Sequence, residues 1–485
     1  MTGRSSKTAT KTPPPERGIF CNRTLNLRAI GAIGYDMDYT LVHYRVHRWE
    51  GKAYDYIKEK LQEENWPVEP LRYQPDLMVR GLIIDRELGN IVKADRFGYV
   101  KYAFHGTKPM GFAQQRSSYA RILIDLNEPR FKFLNTLFSM SEACIFAQLV
   151  DLLDKKDLPG VLGYSDLYSI IRNALDEAHL EGQLKRDIIG DPDNFVEPDP
   201  DTPLALLDQK IAGKKLVLIT NSEWPFTNSM LSYCFEPHLP DGMRWRDLFD
   251  IVIASARKPS FFSADNPAFE VVNDDGLLKP ATMGLRANRI YVGGNAGLVE
   301  EQLKLSGDQI LYVGDHIWAD VKISKALLRW RTAAVLRELE ADIAATEEFK
   351  HDQIELDRLM NQKERLERKQ SQLRLRIQRR RKNYLGQKRT TTGLGPLDKE
   401  LNEIRMQLEK LDSQIAPIAT RAGRLSNPHW GLLMRAGNDK SHMARQVEQS
   451  ADIYLSRVSN FLYITPYAYL RSRAGSLPHD RSSKV

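Results

Sequence analysis

Two aspartates separated by one residue follow a short apolar run near the start of the chain. Residues 30–41 read IGAIGYDMDYTL, which predicts a buried strand that ends at Asp36 and Asp38. Ligands of parallel α/β sheets bind at the carboxyl ends of the strands, and side chains two residues apart in a strand project to the same side. Two carboxylates so close repel each other unless a cation or a shared proton lies between them. The pair is therefore a candidate cation site, although a solvated acidic turn would give the same pattern.

Three further segments repeat this arrangement of an apolar run followed by polar side chains. They are KLVLITNS (215–222), which delivers Thr220, Asn221 and Ser222; FDIVIASARKPSFF (249–262), which delivers Lys258; and QILYVGDHIWAD (309–320), which delivers Asp315 and Asp320. Carboxylates hold a hard cation such as Mg²⁺, while a lysine and hydroxyl or amide groups neutralise and orient phosphate oxygens. The four segments together predict a phosphoryl-transfer site at one edge of a parallel sheet.

These strand ends require a sheet that brings them together. We predict an α/β fold, a Rossmann-like doubly wound parallel sheet, with an inserted cap and a protruding helical hairpin. The cap is predicted because some 170 residues separate the first motif strand, at about 28–40, from the second, where such a fold needs only a helix. The predicted organisation is a disordered tail (1–19), a catalytic core (20–44 and 206–345), a cap and substrate-recognition insertion (45–205), a basic helical hairpin or coiled coil (346–417), a C-terminal helical part packed on the core (418–478) and a tail (479–485).

The composition bounds the class of protein. With 485 residues, of which 42% are hydrophobic, the chain can bury more than one small core. Its three cysteines (Cys21, Cys144 and Cys234) are far apart and odd in number, so neither a disulfide framework nor zinc spacing is indicated. No run approaches the roughly 18 apolar residues of a membrane span, and the first 18 residues lack the apolar core of a secretion signal. We expect a cytoplasmic protein without a membrane partner.

The net charge of +7 is concentrated in one segment of the chain. Residues 361–390 contain twelve Lys or Arg and two Glu, so the rest of the chain is slightly acidic and a nucleic-acid partner is not expected. Leucines and isoleucines recur in steps of three and four on either side of a Gly/Thr-rich break at 386–396, which is the spacing of an antiparallel helical hairpin. We expect a solvated arm, with an oligomer contact and RNA binding as the alternatives.

The four motifs resemble those of the haloacid dehalogenase superfamily of phosphohydrolases: DMDYT, the TNS tip, the ARKP lysine and GDHIWAD. Longer segments are similar to the cytosolic purine 5'-nucleotidases of that superfamily, which act on IMP and GMP. These segments are RGLIIDRELGNIVKADRFG (80–98), His105-Gly106 and ARQVEQSADIYLSRVSNFLYITPYAYLRS (444–472). The resemblance covers about residues 20–480, except for a poorly matching stretch near 345–425.

The resemblance implies roles for the motif residues. It assigns catalysis to Asp36 as the nucleophile, to Asp38 as the general acid and base, and to Thr220, Asn221 and Lys258 around the phosphoryl group. It implies a Mg²⁺ ion bound by Asp36, by the Asp38 backbone carbonyl and by Asp315, with Asp320 holding the waters of the ion. The superfamily motif gives no chemistry to His316, which we expect to serve packing or hydrogen bonding.

A predicted helix over 163–185 carries the residues to which the resemblance assigns recognition of the base. Arg172, Asp176 and His179 recur in steps of four and three and share one face of the helix; without the resemblance they would indicate only an ordinary Arg/Asp pair. An arginine donor and an aspartate acceptor suit the O6 and N1–H edge of a 6-oxopurine, whereas adenine offers the opposite pattern. Lys185 matches a lysine that reaches the nucleotide phosphate. The predicted substrate-binding residues are Arg172, Asp176, His179, Lys185 and Ser222.

The expected function is Mg²⁺-dependent hydrolysis of purine nucleoside 5'-monophosphates, with IMP and GMP preferred and transfer of phosphate to a nucleoside as a further activity. A homo-oligomer, either a dimer or a tetramer, is expected. Two alternatives stay open, namely a phosphatase for another phosphorylated metabolite and a catalytically silent scaffold that acts through the hairpin. The intact Asp36, Asp38, Lys258 and Asp315 argue against the scaffold.

Overall fold

The computed structural model describes residues 13–473 apart from 159, 181 and 383–393. Most of the predicted N-terminal tail and all of the predicted C-terminal tail therefore lie outside the described residues. Within them the chain forms 21 strands and 15 α-helices, which we number in chain order. None of these helices is both long and apolar enough to cross a membrane.

The strands are β1 (Ile19–Cys21), β2 (Leu25–Asn26), β3 (Ala32–Tyr35), β4 (His43–Tyr44), β5 (Ile83–Asp85), β6 (Asn90–Ala94), β7 (Val100–His105), β8 (Lys108–Pro109), β9 (Phe131–Phe133), β10 (Val196–Glu197), β11 (Lys215–Ile219), β12 (Ile251–Ala254), β13 (Ala268–Val271), β14 (Leu278–Pro280), β15 (Arg289–Gly293), β16 (Ile310–Gly314), β17 (Arg331–Val335), β18 (Arg435–Ala436), β19 (Asp439–Lys440), β20 (Ile453–Leu455) and β21 (Tyr469–Leu470). The helices are α1 (Val46–Glu63), α2 (Phe112–Tyr119), α3 (Met140–Asp154), α4 (Tyr164–Leu180), α5 (Gln183–Gly190), α6 (Pro192–Phe195), α7 (Asp201–Ile211), α8 (Trp224–Phe235), α9 (Ser260–Ser263), α10 (Ala296–Leu303), α11 (Ile323–Leu328), α12 (Leu339–Glu348), α13 (Lys350–Lys382), α14 (Leu394–Ala422) and α15 (His442–Ser450).

The largest sheet has ten strands in the order β1-β20-β17-β16-β3-β11-β12-β15-β13-β14. The seven neighbouring strands from β20 to β15 pair in parallel, and the strands at the two edges pair antiparallel. The four strands that precede the polar motifs, β16, β3, β11 and β12, are immediate neighbours. This arrangement confirms the predicted α/β fold with a mostly parallel central sheet.

Each central strand is apolar on both sides because both faces of the sheet are covered. In β11, Leu216 and Leu218 belong to one buried cluster, whereas Val217 and Ile219 belong to another on the opposite face. The strands β12 and β16 divide their side chains between the same two clusters. The continuous apolar runs of the motif segments follow from this double burial.

The chain between β3 and β11 forms helices α1–α7 and an antiparallel sheet in the order β8-β7-β6-β5-β9. It belongs to the same compact unit as the central sheet. Helix α4 packs against α1 and α3. The single helix predicted over 163–185 is instead two helices, because Gly182 adopts a left-handed conformation (φ +65°) at the start of α5.

The two ends of the chain differ from the prediction. The strand β1 begins at Ile19, inside the stretch predicted as a disordered tail, and pairs with β20. In its described residues, 418–473, the part predicted as helical contains the end of α14, the helix α15, a 3-10 helix (Val458–Tyr463), strands and turns. Its strand β20 enters the central sheet between β1 and β17. A strand of three residues is too short to show the alternation that distinguishes a strand from a helix in sequence.

A second compact unit spans residues 341–432. In it α13 and α14 pack along an apolar seam in which Leu359 lies with Leu411 and Ile415, while Leu373 lies with Leu401. Charged side chains bridge the two helices, as in the ion pair of Lys363 with Asp412 at 2.5 Å and that of Arg421 with Asp352 at 2.6 Å. The predicted break at 386–396 lies mostly in 383–393, outside the described residues, and α14 already begins at Leu394.

Candidate active site

The carboxyl ends of β16, β3, β11 and β12 lie beside a cavity of about 820 Å³. The order of the strands therefore brings the four motif segments to one place. Thr220 is fully buried and is not part of the cavity wall, and the side chain of His179 lies outside the described part of the chain. The predicted residues that line the cavity are Asp36, Asp38, Arg172, Asp176, Lys185, Asn221, Ser222, Lys258, Asp315 and Asp320.

Lys258 joins two of the predicted carboxylates. Its Nζ forms ion pairs with Asp36 Oδ1 at 2.6 Å and with Asp320 Oδ1 at 2.8 Å, and all three side chains are buried. The same Nζ donates a hydrogen bond to the Tyr312 hydroxyl at 3.2 Å. The ring of Tyr312 fits there because residue 34 is glycine, since a Cβ at Gly34 would lie 2.7 Å from it. The ammonium is thus fixed between the ends of β3 and β16.

Asp38 lies in a turn directly after β3. Tyr39 has a left-handed conformation (φ +55°), and the N–H groups of the next three residues all donate to the Met37 carbonyl. The two oxygens of Asp38 have different donors, Tyr44 at Oδ1 (2.5 Å) and Ser222 at Oδ2 (2.7 Å). Sequence reasoning did not find Tyr44, which lies outside the motif segments.

Asp315 is held by residues far from it in sequence. Thr136 donates from its hydroxyl to Asp315 Oδ2 at 3.0 Å. The buried Arg80 guanidinium donates to the Asp315 backbone carbonyl at 3.2 Å and lies 3.8 Å from Oδ2, while its other end pairs with Glu338 at 2.7 Å. Neither Arg80 nor Thr136 was predicted as a site residue. Arg80 could have been found from its place at the start of segment 80–98, which resembles the family, whereas no sequence feature pointed to Thr136.

Asp320 lies in a π-helical segment, Ile317–Lys322, and its Oδ2 accepts the His316 backbone N–H at 3.2 Å. The His316 ring accepts a hydrogen bond at Nδ1 from the Ala319 N–H at 3.1 Å and so caps this segment. Burial lowers the pKa of His316 to about 4, which keeps the ring neutral and able to accept. The His316 ring therefore acts as a hydrogen-bond acceptor at the cavity wall. This contact requires no proton transfer.

The side chains of Thr220 and Asn221, which follow β11, form hydrogen bonds with other groups of the protein. The Thr220 hydroxyl accepts the Ser222 N–H at 3.0 Å. The Asn221 side chain accepts the Lys258 N–H at 2.6 Å and donates to the Lys258 carbonyl at 3.1 Å. In this arrangement Asn221 holds the backbone of the lysine loop, a different contact from the predicted donation to phosphoryl oxygens.

The residues predicted to read the base lie on α4. Arg172 pairs with Asp176 at 2.7 Å and approaches the buried Glu142 at 3.4 Å. Lys185, on the separate helix α5, donates to Glu223 at 2.6 Å and to the Ser222 hydroxyl at 3.4 Å. Lys185 thus reaches the hydroxyl that holds Asp38.

The carboxylate cluster fits a divalent cation. Asp36, Asp315 and Asp320 each place an oxygen within 4.8 Å of the others. Burial raises the pKa of Asp36 well above its usual range and that of Asp315 to about 7, although Lys258 and Arg80 oppose these shifts. Burial alone would lower the pKa of Lys258, but the two carboxylates raise it well above its ordinary value. The oxygen donors and the excess negative charge suit a hard cation such as Mg²⁺.

The fold and the site define an α/β protein with a buried cluster of carboxylates and a lysine at the carboxyl edge of its parallel sheet. The chain belongs to the 5' nucleotidase family, whose model matches residues 19–482. Membership of this family makes the protein a 5'-nucleotidase.

Two curated relatives carry the same family name. The chain is 25% identical to a 5'-nucleotidase domain-containing protein of Dictyostelium discoideum over 475 residues, which cover 95% of this chain and 74% of that protein. It is 29% identical to the human 5'-nucleotidase domain-containing protein 2 over 353 residues, which cover 69% of this chain and 66% of the human protein.

Proposed function

We propose that the protein hydrolyses purine nucleoside 5'-monophosphates, IMP and GMP in preference, to the nucleoside and phosphate. The observation that carries the proposal is the pair of aspartates after β3, in which Asp36 is held by Lys258 and Asp38 by two hydroxyl donors. These different surroundings support attack by Asp36 and proton transfer by Asp38. This division of roles is the one that the resemblance to the haloacid dehalogenase superfamily implies.

Asp36 attacks the phosphorus in line and forms an aspartyl-phosphate. Lys258 holds Oδ1, so Oδ2 is the attacking oxygen. As the P–O5' bond breaks, Asp38 gives a proton to O5' of the departing nucleoside. Asp38 then takes a proton from the water that attacks the phosphorus, and the carboxylate of Asp36 is released with inorganic phosphate as the product.

Asp36, the Asp38 backbone carbonyl and Asp315 would hold Mg²⁺, which when bound supplies neutralisation and orientation of the phosphoryl oxygens. Arg80 and Thr136 orient Asp315 for this role through the contacts described above. Asp320 is already engaged by protein groups, since Oδ1 forms an ion pair with Lys258 and Oδ2 accepts the His316 N–H. This supports a role for Asp320 outside the direct metal ligands, where it would hold water molecules of the ion.

The cavity wall supports recognition of a 6-oxopurine. Arg172 and Asp176 line the cavity and pair with each other. The O6 and N1–H groups of IMP or GMP would replace that pair with two complementary hydrogen bonds. The edge of AMP would instead place donor against donor and acceptor against acceptor, which disfavours binding strongly. Phe133 and Phe138 supply apolar surface in the same cavity.

We also propose that a nucleoside can replace water as the acceptor of the phosphoryl group. A nucleoside 5'-hydroxyl held in the vacated cavity would have a high effective concentration beside the aspartyl-phosphate. Asp38 would take its proton by the reverse of the step that protonates O5'. A cytoplasmic homo-oligomer stays a prediction, which sedimentation and cell fractionation would test.

A panel of nucleoside monophosphates with Mg²⁺ and a phosphate readout tests the function. We expect kcat/KM to be higher for IMP and GMP than for AMP, CMP and UMP. Asp36→Asn keeps the shape of the side chain and should reduce turnover to less than about a hundredth of that of wild type. Phosphate release only from other phosphate esters would favour the metabolite phosphatase, and no release from any ester would favour the silent scaffold.

A further inference from the structure

Tyr44 donates a hydrogen bond to the aspartate to which we assign proton transfer. Its hydroxyl lies 2.5 Å from Asp38 Oδ1, while the Ser222 hydroxyl lies 2.7 Å from Oδ2. We infer that Tyr44 is a positioning residue, an inference that rests on the proposed function. Tyr44 anchors Asp38 through Oδ1, so that Oδ2 carries the transferred proton.

The two oxygens of Asp38 have different surroundings. Ser222 lines the cavity together with Asp38, so the Oδ2 side faces the space that substrate would fill. Tyr44 is 3% exposed and belongs to the buried core below the cavity. A substrate in the cavity therefore meets the side of Asp38 that Ser222 holds.

The ring of Tyr44 is fixed by its neighbours. It packs at 4.3 Å between ring centroids against Trp49 and edge-on at 5.3 Å against Tyr39. Its backbone pairs with Val196 between β4 and β10. Because both ring and backbone are held, the Tyr44 hydroxyl cannot follow Asp38 and instead defines where Asp38 lies.

The hydroxyl donors decide which oxygen can be protonated. A proton on Oδ1 would face the Tyr44 hydrogen in a buried place, where the repulsion is not relieved by water. A proton on Oδ2 faces Ser222, a buried residue of the cavity wall whose hydroxyl can rotate and accept. In the leaving step the electron pair of the P–O5' bond goes to O5', the proton passes from Oδ2 to O5', and Asp38 remains as a carboxylate held by both hydroxyls.

The Tyr44→Phe variant tests the inference, since it removes the hydroxyl and keeps the ring packing. Tyr56→Phe is the matched control, because Tyr56 is also buried (7% exposed) and donates to Asp187 at 2.7 Å, away from the cavity lining. The measurement is the single-turnover rate of phosphoenzyme formation with Mg²⁺ from IMP and from p-nitrophenyl phosphate, together with the melting temperature. Only IMP needs a protonated leaving group.

We expect Tyr44→Phe to slow phosphoenzyme formation from IMP by about 10- to 100-fold, the range for losing a hydrogen bond to a charged group. Formation from p-nitrophenyl phosphate should change less than about threefold, with KM and melting temperature close to those of Tyr56→Phe. Equal loss on both substrates, or no loss on IMP, would overturn the inference. A wild-type protein that forms no phosphoenzyme from either ester would overturn the proposed function itself.

Discussion

Replacing Lys258 with methionine keeps the side-chain length and removes the cation between two buried carboxylates. Lys258 lies 2.6 Å from Asp36 and 2.8 Å from Asp320, and each of the three side chains is less than a tenth exposed. Breaking a buried ion pair in this way leaves uncompensated charge and costs about 3–5 kcal/mol. We expect Lys258→Met to lose free energy of unfolding in that range at pH 8 with EDTA present, and to lose turnover.

The loss of free energy of unfolding in Lys258→Met should depend on pH and on the neighbouring carboxylates. Burial raises the pKa of Asp315 to about 7 and that of Asp36 well above its usual range, so acidification neutralises the charge that Lys258 offsets. The cost of Lys258→Met should therefore shrink between pH 8 and pH 5.5. Adding Asp320→Asn should restore part of it, about 1–3 kcal/mol, because the two residues are in contact.

Urea denaturation followed by tryptophan fluorescence measures these differences. Lys325→Met is the matched control, since Lys325 pairs with Asp452 at 2.7 Å but that carboxylate keeps Arg331 at 3.1 Å. We expect a loss of about 1 kcal/mol or less for the control. Equal losses in the two lysine variants, or a Lys258→Met loss that does not change with pH, would refute the reasoning.

Two further predictions concern the base and the buried core. Arg172→Ala and Asp176→Ala should each lower kcat/KM for IMP and reduce the preference over CMP, with p-nitrophenyl phosphate hydrolysis retained; unchanged preference would contradict base recognition by α4. Burial raises the pKa of Glu50 to about 7, although it accepts the Ser141 N–H. Because the folded protein holds that proton more tightly than the unfolded chain, stability should fall as pH rises from about 4.5 to about 7, by up to about 3 kcal/mol. Glu50→Gln should flatten this dependence in urea denaturation, and an unchanged slope would contradict the assignment.

The motif strands could be predicted from sequence because of where they lie in the sheet. A strand covered on both faces is an unbroken apolar run, and polar residues that follow it stand out. Lys258 and Asp315 were found in this way. The carboxyl ends of neighbouring parallel strands share an edge, so the chemistry of the cluster could be inferred before any distance was known.

The boundaries of strands and helices and the local turns were harder to predict from the sequence. The first motif strand was predicted over about 28–40, whereas β3 covers only Ala32–Tyr35, since the chain turns at Asp38 and Tyr39 takes a left-handed conformation. The helix predicted over 163–185 divides at Gly182. In each case apolar periodicity continues through residues whose backbone conformation has already changed.

By itself the sequence determined the α/β class, the polar residues that line the cavity and the apolar seam of the helical hairpin, because those depend on residue types at short spacing. Only the tertiary structure decided which groups hold those polar residues in place. Thr136 on Asp315, Asn221 on the Lys258 backbone and Tyr44 on Asp38 are contacts set by strand order and packing. Such pairings could not be predicted from the sequence, since a hydrogen bond between distant segments imposes no local periodicity on either one.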